Sequence, residues 1–141
     1  MFKNKDYELY LDDCLKVMDE LIEQEIKVDM ILIDPPYEKT RGKWDVIIPI
    51  NPMWERINLL IKKEGAICIF GNEPFSSMVR MSNLDNYKYD WKWIKNRATG
   101  FANCNYRPMS KYEDIIVFFK IKCFNWWQKK RYELLPTRLN T

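Results

Sequence analysis

The feature that most constrains the fold is an apolar run that ends in an acid, two prolines and an aromatic residue. The run Val28–Ile33 contains one charged residue, and its length and composition predict a strand covered on both faces of a sheet. The loop Asp34-Pro35-Pro36-Tyr37 follows immediately. We expect this loop at the carboxyl edge of the sheet, where open α/β sheets bind their ligands.

The composition of this loop favours a particular kind of ligand. Each proline fixes the backbone and removes an amide donor, so the loop offers carbonyl oxygens, one carboxylate and one aromatic ring. Such a surface suits a flat group with an NH2, because the oxygens accept its protons and the ring stacks on it. A nucleobase with an exocyclic amine is the obvious candidate. The alternative is an ordinary turn, since proline and aspartate both form turns.

Length and composition exclude several classes of protein. A chain of 141 residues allows one domain with a real core. No apolar stretch approaches the ~20 residues that span a bilayer, and no export signal is visible, so we expect a cytoplasmic protein. The absence of histidine excludes a histidine general base. Four widely spaced cysteines favour free thiols over a metal site.

The order of the predicted elements indicates an α/β fold with a mostly parallel sheet and flanking helices. A loop over residues 34–50 is long enough to suggest a function. The patterns predict strands at 7–11, 28–33, 66–70, 89–94 and 113–119, and helices that begin at Asp12 or Asp13, at Asn51-Pro52 (ending at Gly65) and at Glu73-Pro74.

Basic and aromatic residues alternate in the segment 88–111. Basic side chains for phosphates and aromatic rings for bases are the components of a nucleic-acid surface. An amphipathic strand, with tryptophan and isoleucine on the core face and lysine in solvent, would give the same alternation. The net charge of +3 does not decide between them.

Several short motifs occur in one register from about residue 7 to residue 120. Through them the chain resembles DNA amino-methyltransferases of the adenine-N6/cytosine-N4 family, and among these the phage and prophage adenine methylases of the permuted type. The resemblance implies a Rossmann-like methyltransferase fold over residues 1–121, S-adenosylmethionine as cofactor and double-stranded DNA as partner. The motifs are Leu11-Asp12-Asp13-Cys14, Ile33-Asp34-Pro35-Pro36-Tyr37, Lys43-Trp44-Asp45, 65–71, 73–77, 93–101 and 112–115.

The same resemblance assigns roles to individual residues. Asp34 and the Pro35 carbonyl would accept the two protons of the target amine, with Pro36 in the same catalytic loop. Tyr37 would stack on the flipped base. Asp13 and Asp34 would contact the cofactor, although Asp13 is equally well explained as a helix cap because Asp12 replaces the glycine that the family carries before it. Residues implied to bind or shape the substrate pocket are Trp44, Glu73, Phe75, Lys95, Asn96 and Arg97.

The chain departs from the family pattern after the catalytic half. The glycine turn that holds the cofactor in this family has no counterpart, since no Gly-x-Gly occurs, and the match stops at Lys122. We therefore expect a fold that is incomplete on its C-terminal side, with an atypical basic and aromatic tail at 122–141. Such a fold would expose a sheet edge and an apolar patch and would self-associate.

Two classes of function remain open at this point. One is a DNA adenine methyltransferase whose cofactor site is completed by a homodimer or by a complementing chain. The other is a non-catalytic, nucleic-acid-binding remnant that keeps the base pocket alone. A narrower alternative is an amino-methyltransferase that acts on RNA.

Overall fold

The computed structural model describes residues 2–4, 6–38, 42 and 45–120. The predicted tail at 122–141 lies outside this range. The elements, in chain order, are β1 (Phe2–Lys3), β2 (Glu8–Leu9), α1 (Cys14–Glu23), β3 (Val28–Ile33), α2 (Ile50–Leu60), β4 (Ile61–Gly71), α3 (Phe75–Ser82), β5 (Tyr87–Thr99), a 3-10 turn (Phe101–Asn103) and β6 (Ser110–Phe119).

The main sheet has four strands in the order β3-β4-β6-β5. The α/β class is confirmed, but the prediction of a mostly parallel sheet is wrong. Strand β3 pairs with β4 in parallel, whereas β4–β6 and β6–β5 are antiparallel. The reason is the short connection at 100–109, because a short loop returns the chain beside itself and a parallel pair needs a longer crossover. Alternation along β5 indicated a strand without indicating its direction.

The hydrophobic core lies on one face of this sheet, beneath helices α2 and α3. Ile69, Ile116 and Phe118 on the sheet are fully buried. Trp54 of α2 meets the Phe118 ring edge-on, with centroids 4.9 Å apart, and its indole N–H donates to Ser82 Oγ at 2.8 Å. Each fully buried side chain of this kind contributes roughly 1.5–3 kcal/mol. This packing positions the carboxyl ends of β3 and β4.

Helix α2 and strand β4 meet at a different place from the one predicted. The helix ends at Leu60 and not at Gly65, and Pro49 rather than Asn51 occupies the position before its first turn. Gly65 lies inside β4, where an added Cβ would stand 2.8 Å from the Asp29 carbonyl oxygen. The glycine therefore allows the β3 and β4 backbones to approach, which sequence patterns cannot distinguish from a helix stop.

The N-terminal elements are shorter than expected. Strand β2 is confined to Glu8–Leu9 and pairs with β1 in a separate two-stranded ribbon. The predicted cap of α1 is confirmed at Asp13. No helix in the described part of the chain combines the length and the apolarity to cross a membrane.

Strand β3 has the predicted bounds but not the predicted burial on both faces. It stands at one end of the sheet order, and Met30 and Leu32 are 53% and 59% exposed. Ile31 and Ile33, on the opposite face, pack against the core. Within the described ranges no strand pairs with its outer edge. An apolar edge strand of this kind is open to pairing with another chain.

We predict that the protein self-associates through this edge. The weight-average mass from light scattering should rise with concentration, and Leu32→Lys should suppress the rise because an edge lysine opposes strand pairing. Leu84→Lys, at an exposed leucine in the turn after α3, is the matched control. A monomeric mass at every concentration, with a cooperative melt, would contradict the prediction.

Candidate functional site

The loop Asp34-Pro35-Pro36-Tyr37 follows the carboxyl end of β3, where the sequence placed it. Because β3 and β4 are parallel with Ile33 opposite Ile69, the loop lies at the same sheet edge as Gly71, the last residue of β4. Pro35 is buried, and the Asp34 side chain is exposed. The site thus presents a carboxylate on a backbone that two prolines hold in place.

Tyr37 is held from two sides. Its hydroxyl donates to Asp34 Oδ1, and its ring packs on Phe75 with centroids 5.2 Å apart and planes tilted by 32°. Burial raises the pKa of Tyr37 above its usual range, and the hydrogen bond with Asp34 and the charges of Asp34 and Glu113 raise it further. The phenol therefore stays protonated and remains a donor to Asp34. This hydrogen bond was not predicted from the sequence. The signal that could have indicated it is that Asp34 and Tyr37 are three residues apart in a loop restricted by two prolines.

The buried residue Asp45 forms hydrogen bonds with two described residues that follow the Asp34-Pro35-Pro36-Tyr37 loop. Its Oδ1 accepts a hydrogen bond from the Glu38 amide at 2.9 Å, and its own amide donates to the Gly42 carbonyl at 3.0 Å. The carboxylate thereby satisfies backbone that no strand or helix would satisfy. Trp44, predicted to bind substrate, lies outside the described residues.

Phe75 and Glu73, both predicted to shape the substrate pocket, have structural partners. Phe75 is a buried core residue that supports the Tyr37 ring. Glu73 Oε2 accepts from the Ser77 hydroxyl at 2.7 Å and from the Ser77 amide at 3.2 Å, and Oε1 lies 2.9 Å from Arg80 Nη1. The bonds from Ser77, together with Arg80, lower the pKa of Glu73. Both residues organise the start of α3.

A cluster of charged side chains behind the site joins α3 to β5 and β6. Arg80 Nη2 lies 2.9 Å from Asp90 Oδ2 and 2.7 Å from Asp114 Oδ2, and Lys92 donates to Asp114 Oδ1. Burial by itself would raise the pKa of Asp114, but the bonds from Lys92 and Arg80 outweigh burial and lower it. A buried carboxylate with this many donors remains ionised.

Residues 95–97 lie on β5, past the point where the sheet narrows to two strands. Lys95 donates to the Glu113 carboxylate across the strand pair, whereas Asn96 and Arg97 are exposed. The charge of Glu113 also acts on the Tyr37 hydroxyl. The structure therefore brings Lys95 and Glu113 to the side of the site. In the sequence, Glu113 lies within the motif 112–115, which by itself predicts no role for this residue.

Asp13 acts as the cap of α1. Its Oδ1 accepts from the Leu15 amide at 2.8 Å and from the Lys16 amide at 3.4 Å. The helix-cap interpretation is confirmed, and a contact with cofactor stays a prediction.

A groove of about 870 Å³ runs beside β3. Its lining comes mainly from α1, β3 and α2 and includes Asp12 and the Asp34-Pro35-Pro36 loop. Its volume lies within the range of small-molecule pockets.

Metal-ligating groups do not converge in the part of the chain that the structure describes. No cluster of three or more His, Cys, Asp or Glu side chains is placed there to hold an ion. Cys14, Cys68 and Cys104 are free thiols, of which Cys68 is buried.

Comparison with known proteins identifies solved structures of similar fold. No protein-family model matches the chain, and no curated protein sequence matches it. The crystal structure of an M1.HpyAVI–SAM complex superposes with a TM-score of 0.62 and 23% identity, covering 82% of this chain and 55% of the other. A crystal structure of M1.HpyAVI gives 0.59 and 24%, covering 80% and 56%.

The fold is thus α/β and Rossmann-like, similar to that of the M1.HpyAVI structures. The predicted fold class is confirmed in this respect. The chain spans a little over half the length of the solved structures that it resembles.

We predict that Asp114→Asn lowers the free energy of unfolding at pH 7 by roughly 3 kcal/mol, because Arg80 and Lys92 lose their shared carboxylate. The native pKa of Asp114 is lowered. Its stabilisation is therefore complete above about pH 3.9, the pKa of an unfolded aspartate, and is lost as pH falls through the native pKa. Urea unfolding at pH 7 and at strongly acidic pH measures both effects. A deficit that persists undiminished in acid would contradict the role of the charge.

Proposed function

We propose that this chain is the catalytic half of a DNA methyltransferase, which transfers a methyl group from S-adenosylmethionine to the exocyclic amine of a flipped adenine. The observation that carries this proposal is the exposed Asp34 carboxylate at the carboxyl edge of a Rossmann-like sheet, beside the aromatic ring of Tyr37. The resemblance of the loop and its flanking motifs to adenine methylases supports the same function.

The loop supplies the two acceptors that an amine nucleophile needs. An exocyclic amine is a poor nucleophile because its lone pair is delocalised into the ring. Asp34 Oδ1 is occupied by the Tyr37 hydroxyl, so Oδ2 is the oxygen that would accept one amine proton, and the Pro35 carbonyl would accept the other. Two acceptors favour a pyramidal nitrogen with a free lone pair. Positioning and charge placement then supply most of the catalysis.

Tyr37 would receive the flipped base. Its ring packs against the buried Phe75, so the stacking surface is already held in position in the absence of a bound base. A rigid surface loses little conformational entropy on binding. Trp44 remains a predicted contact, and Pro36 shapes the loop.

The groove beside β3 fits S-adenosylmethionine in size and in charge. Its lining is mainly apolar and includes the acidic residues Asp12 and Asp34, which suit a ligand that carries sulfonium and ammonium charges. When bound, the cofactor supplies a methyl group activated by the sulfonium. Asp34 would orient that end, and Asp13 would lie near the adenosine part while it caps α1. The fold similarity to M1.HpyAVI, solved as a complex with SAM, supports this assignment.

A second candidate function is a non-catalytic nucleic-acid-binding module. The absence of any Gly-x-Gly favours it, because a glycine turn lets the backbone approach a cofactor closely. In the enzymatic alternative, a second copy or a complementing chain at the free edge of β3 would complete the cofactor site. Double-stranded DNA is the proposed substrate, with RNA as the narrower alternative.

Titration calorimetry with S-adenosylmethionine, with and without an adenine-containing duplex, tests the proposal. Micromolar binding is the expected result, accompanied by transfer of labelled methyl groups to the duplex. No binding at millimolar cofactor would overturn the enzymatic function for this chain by itself.

We predict that Asp34→Ala abolishes methyl transfer and leaves the fold intact, because the side chain supplies an acceptor to the target amine and is exposed, outside the hydrophobic core. Asp85→Ala, an exposed aspartate at the opposite edge of the sheet, is the control and should retain activity. Methyl transfer and thermal melting are measured on both variants. Activity retained in Asp34→Ala would refute the acceptor role.

Tyr37→Ala should weaken binding to duplexes with a mismatched target adenine by about 1–3 kcal/mol, the value of one base–aromatic stack. Tyr37→Phe keeps the ring and loses the hydrogen bond to Asp34. We expect it to retain DNA affinity and to lose methyl-transfer rate. Equal affinity of the wild type and Tyr37→Ala for such duplexes would argue against base flipping onto this ring.

A further inference from the structure

Strands β5 and β6 continue beyond the edge of the sheet at which the site lies. The last residue of β4, Gly71, pairs with Asp114, whereas β6 begins at Ser110 and β5 ends at Thr99. The strand residues before Asp114 add about 13 Å at 3.3 Å per residue, and the connection 100–109 extends further. We call residues 94–112 the arm.

The arm has a one-sided charge. Its 19 residues include four basic side chains, Lys95, Arg97, Arg107 and Lys111, and no Asp or Glu, although the whole chain has 20 acidic residues. Lys95 pairs with Glu113 at the base of the arm. In the described part of the chain, Arg97, Arg107 and Lys111 are exposed and form no ion pair. Cationic side chains that lie close together without acidic partners repel one another, and binding of a polyanion relieves that repulsion.

The end of the arm presents two large aromatic rings to solvent. Phe101 is 78% exposed and Tyr106 is 91% exposed. The backbone around them is nonetheless regular. Gly100 has φ +95°, and the Tyr106 and Arg107 amides donate to the Asn103 carbonyl at 3.0 and 3.1 Å. The rings are therefore displayed by an ordered turn and do not contribute to the core.

The arm and the candidate site share one edge of the molecule. The Lys95–Glu113 pair stands at the base of the arm, and Glu113 is close enough to Tyr37 for its charge to act on the phenol. A strand of nucleic acid with one base at Asp34 and Tyr37 would pass beside the arm. The neighbouring bases lose a stacking partner when the target base leaves the helix.

We propose that the arm binds the DNA strand beside the target base, with Arg97, Arg107 and Lys111 contacting phosphates and Phe101 and Tyr106 stacking on the bases exposed by flipping. This inference rests on the proposed function and specifies how its substrate is held. These roles follow from side-chain chemistry. Guanidinium and ammonium groups bind phosphate, and every base offers a face on which an aromatic ring can stack.

Fluorescence anisotropy of the full chain with a labelled duplex, measured over a range of salt, tests the phosphate contacts. Arg97→Ala and Arg107→Ala should each weaken binding and lower the slope of log K against log salt by about 0.9. Lys63→Ala, an exposed lysine near the start of β4 at the opposite edge, is the matched control and should change neither quantity. Equal effects of all three substitutions, or none in the arm variants, would overturn the proposal.

A second pair of variants tests stacking. Phe101→Ala and Tyr106→Ala should each weaken binding to a duplex with an unpaired adenine by roughly 5- to 150-fold, with an unchanged salt slope. The exposed Leu84→Ala serves as control. Weaker binding of all duplexes with a reduced salt slope would show that the rings do not stack, and tighter binding of RNA than of DNA would refute the choice of partner.

The arm and the proposed function can fail independently. The arm variants should bind S-adenosylmethionine as the wild type does. If they also bind DNA normally while Asp34→Ala and Tyr37→Ala show their predicted losses, the arm proposal is wrong and the catalytic proposal stands. If the arm variants lose DNA while the wild type never binds cofactor, the arm proposal stands and the chain is a nucleic-acid-binding module.

Discussion

The guanidinium of Arg80 meets carboxylates from three parts of the chain. Glu73 precedes α3, Asp90 lies on β5, and Asp114 lies on β6. These contacts join the helix that carries Phe75 to the two strands that carry the arm. Since Phe75 supports the Tyr37 ring, the position of the candidate base pocket relative to the arm depends on this cluster. Breaking a buried ion pair leaves uncompensated charge, so this cluster tolerates substitution poorly.

The two ends of the sheet order have opposite characters. Strand β5 continues into the charged arm, whereas β3 ends the sheet with the exposed apolar residues Met30 and Leu32. Charged side chains on an exposed strand pair oppose its pairing with another chain. An exposed apolar edge strand favours such pairing. The groove beside β3 adjoins this apolar edge. Association at the edge would therefore alter the surface on which a cofactor is proposed to bind.

Much of the site was predictable because its signals are local. The loop after β3 was placed correctly, because the apolar run that forms the strand and the prolines that end it are both local signals. The bond from Tyr37 to Asp34, the cluster around Arg80 and the position of Glu113 were not predicted. Each depends on contacts between segments far apart in sequence or on side-chain orientation within a loop, and neither leaves a periodic pattern. The cap of α1 by Asp13, in contrast, was predicted correctly from the sequence. Capping is a local interaction, so the residues that form it are close together in the sequence.

The sequence by itself determined the α/β class, the order and type of the main elements and the chemistry of the Asp34-Pro35-Pro36-Tyr37 loop. Apolar periodicity, helix caps and proline geometry act within a few residues, so they can be recognised without a fold. Only the tertiary structure decided that the sheet is largely antiparallel, that Gly65 lies in a strand, and that the arm stands beside the site. Strand direction and the neighbours of each strand follow from long-range pairing, which depends on how the whole chain packs and not on any one segment.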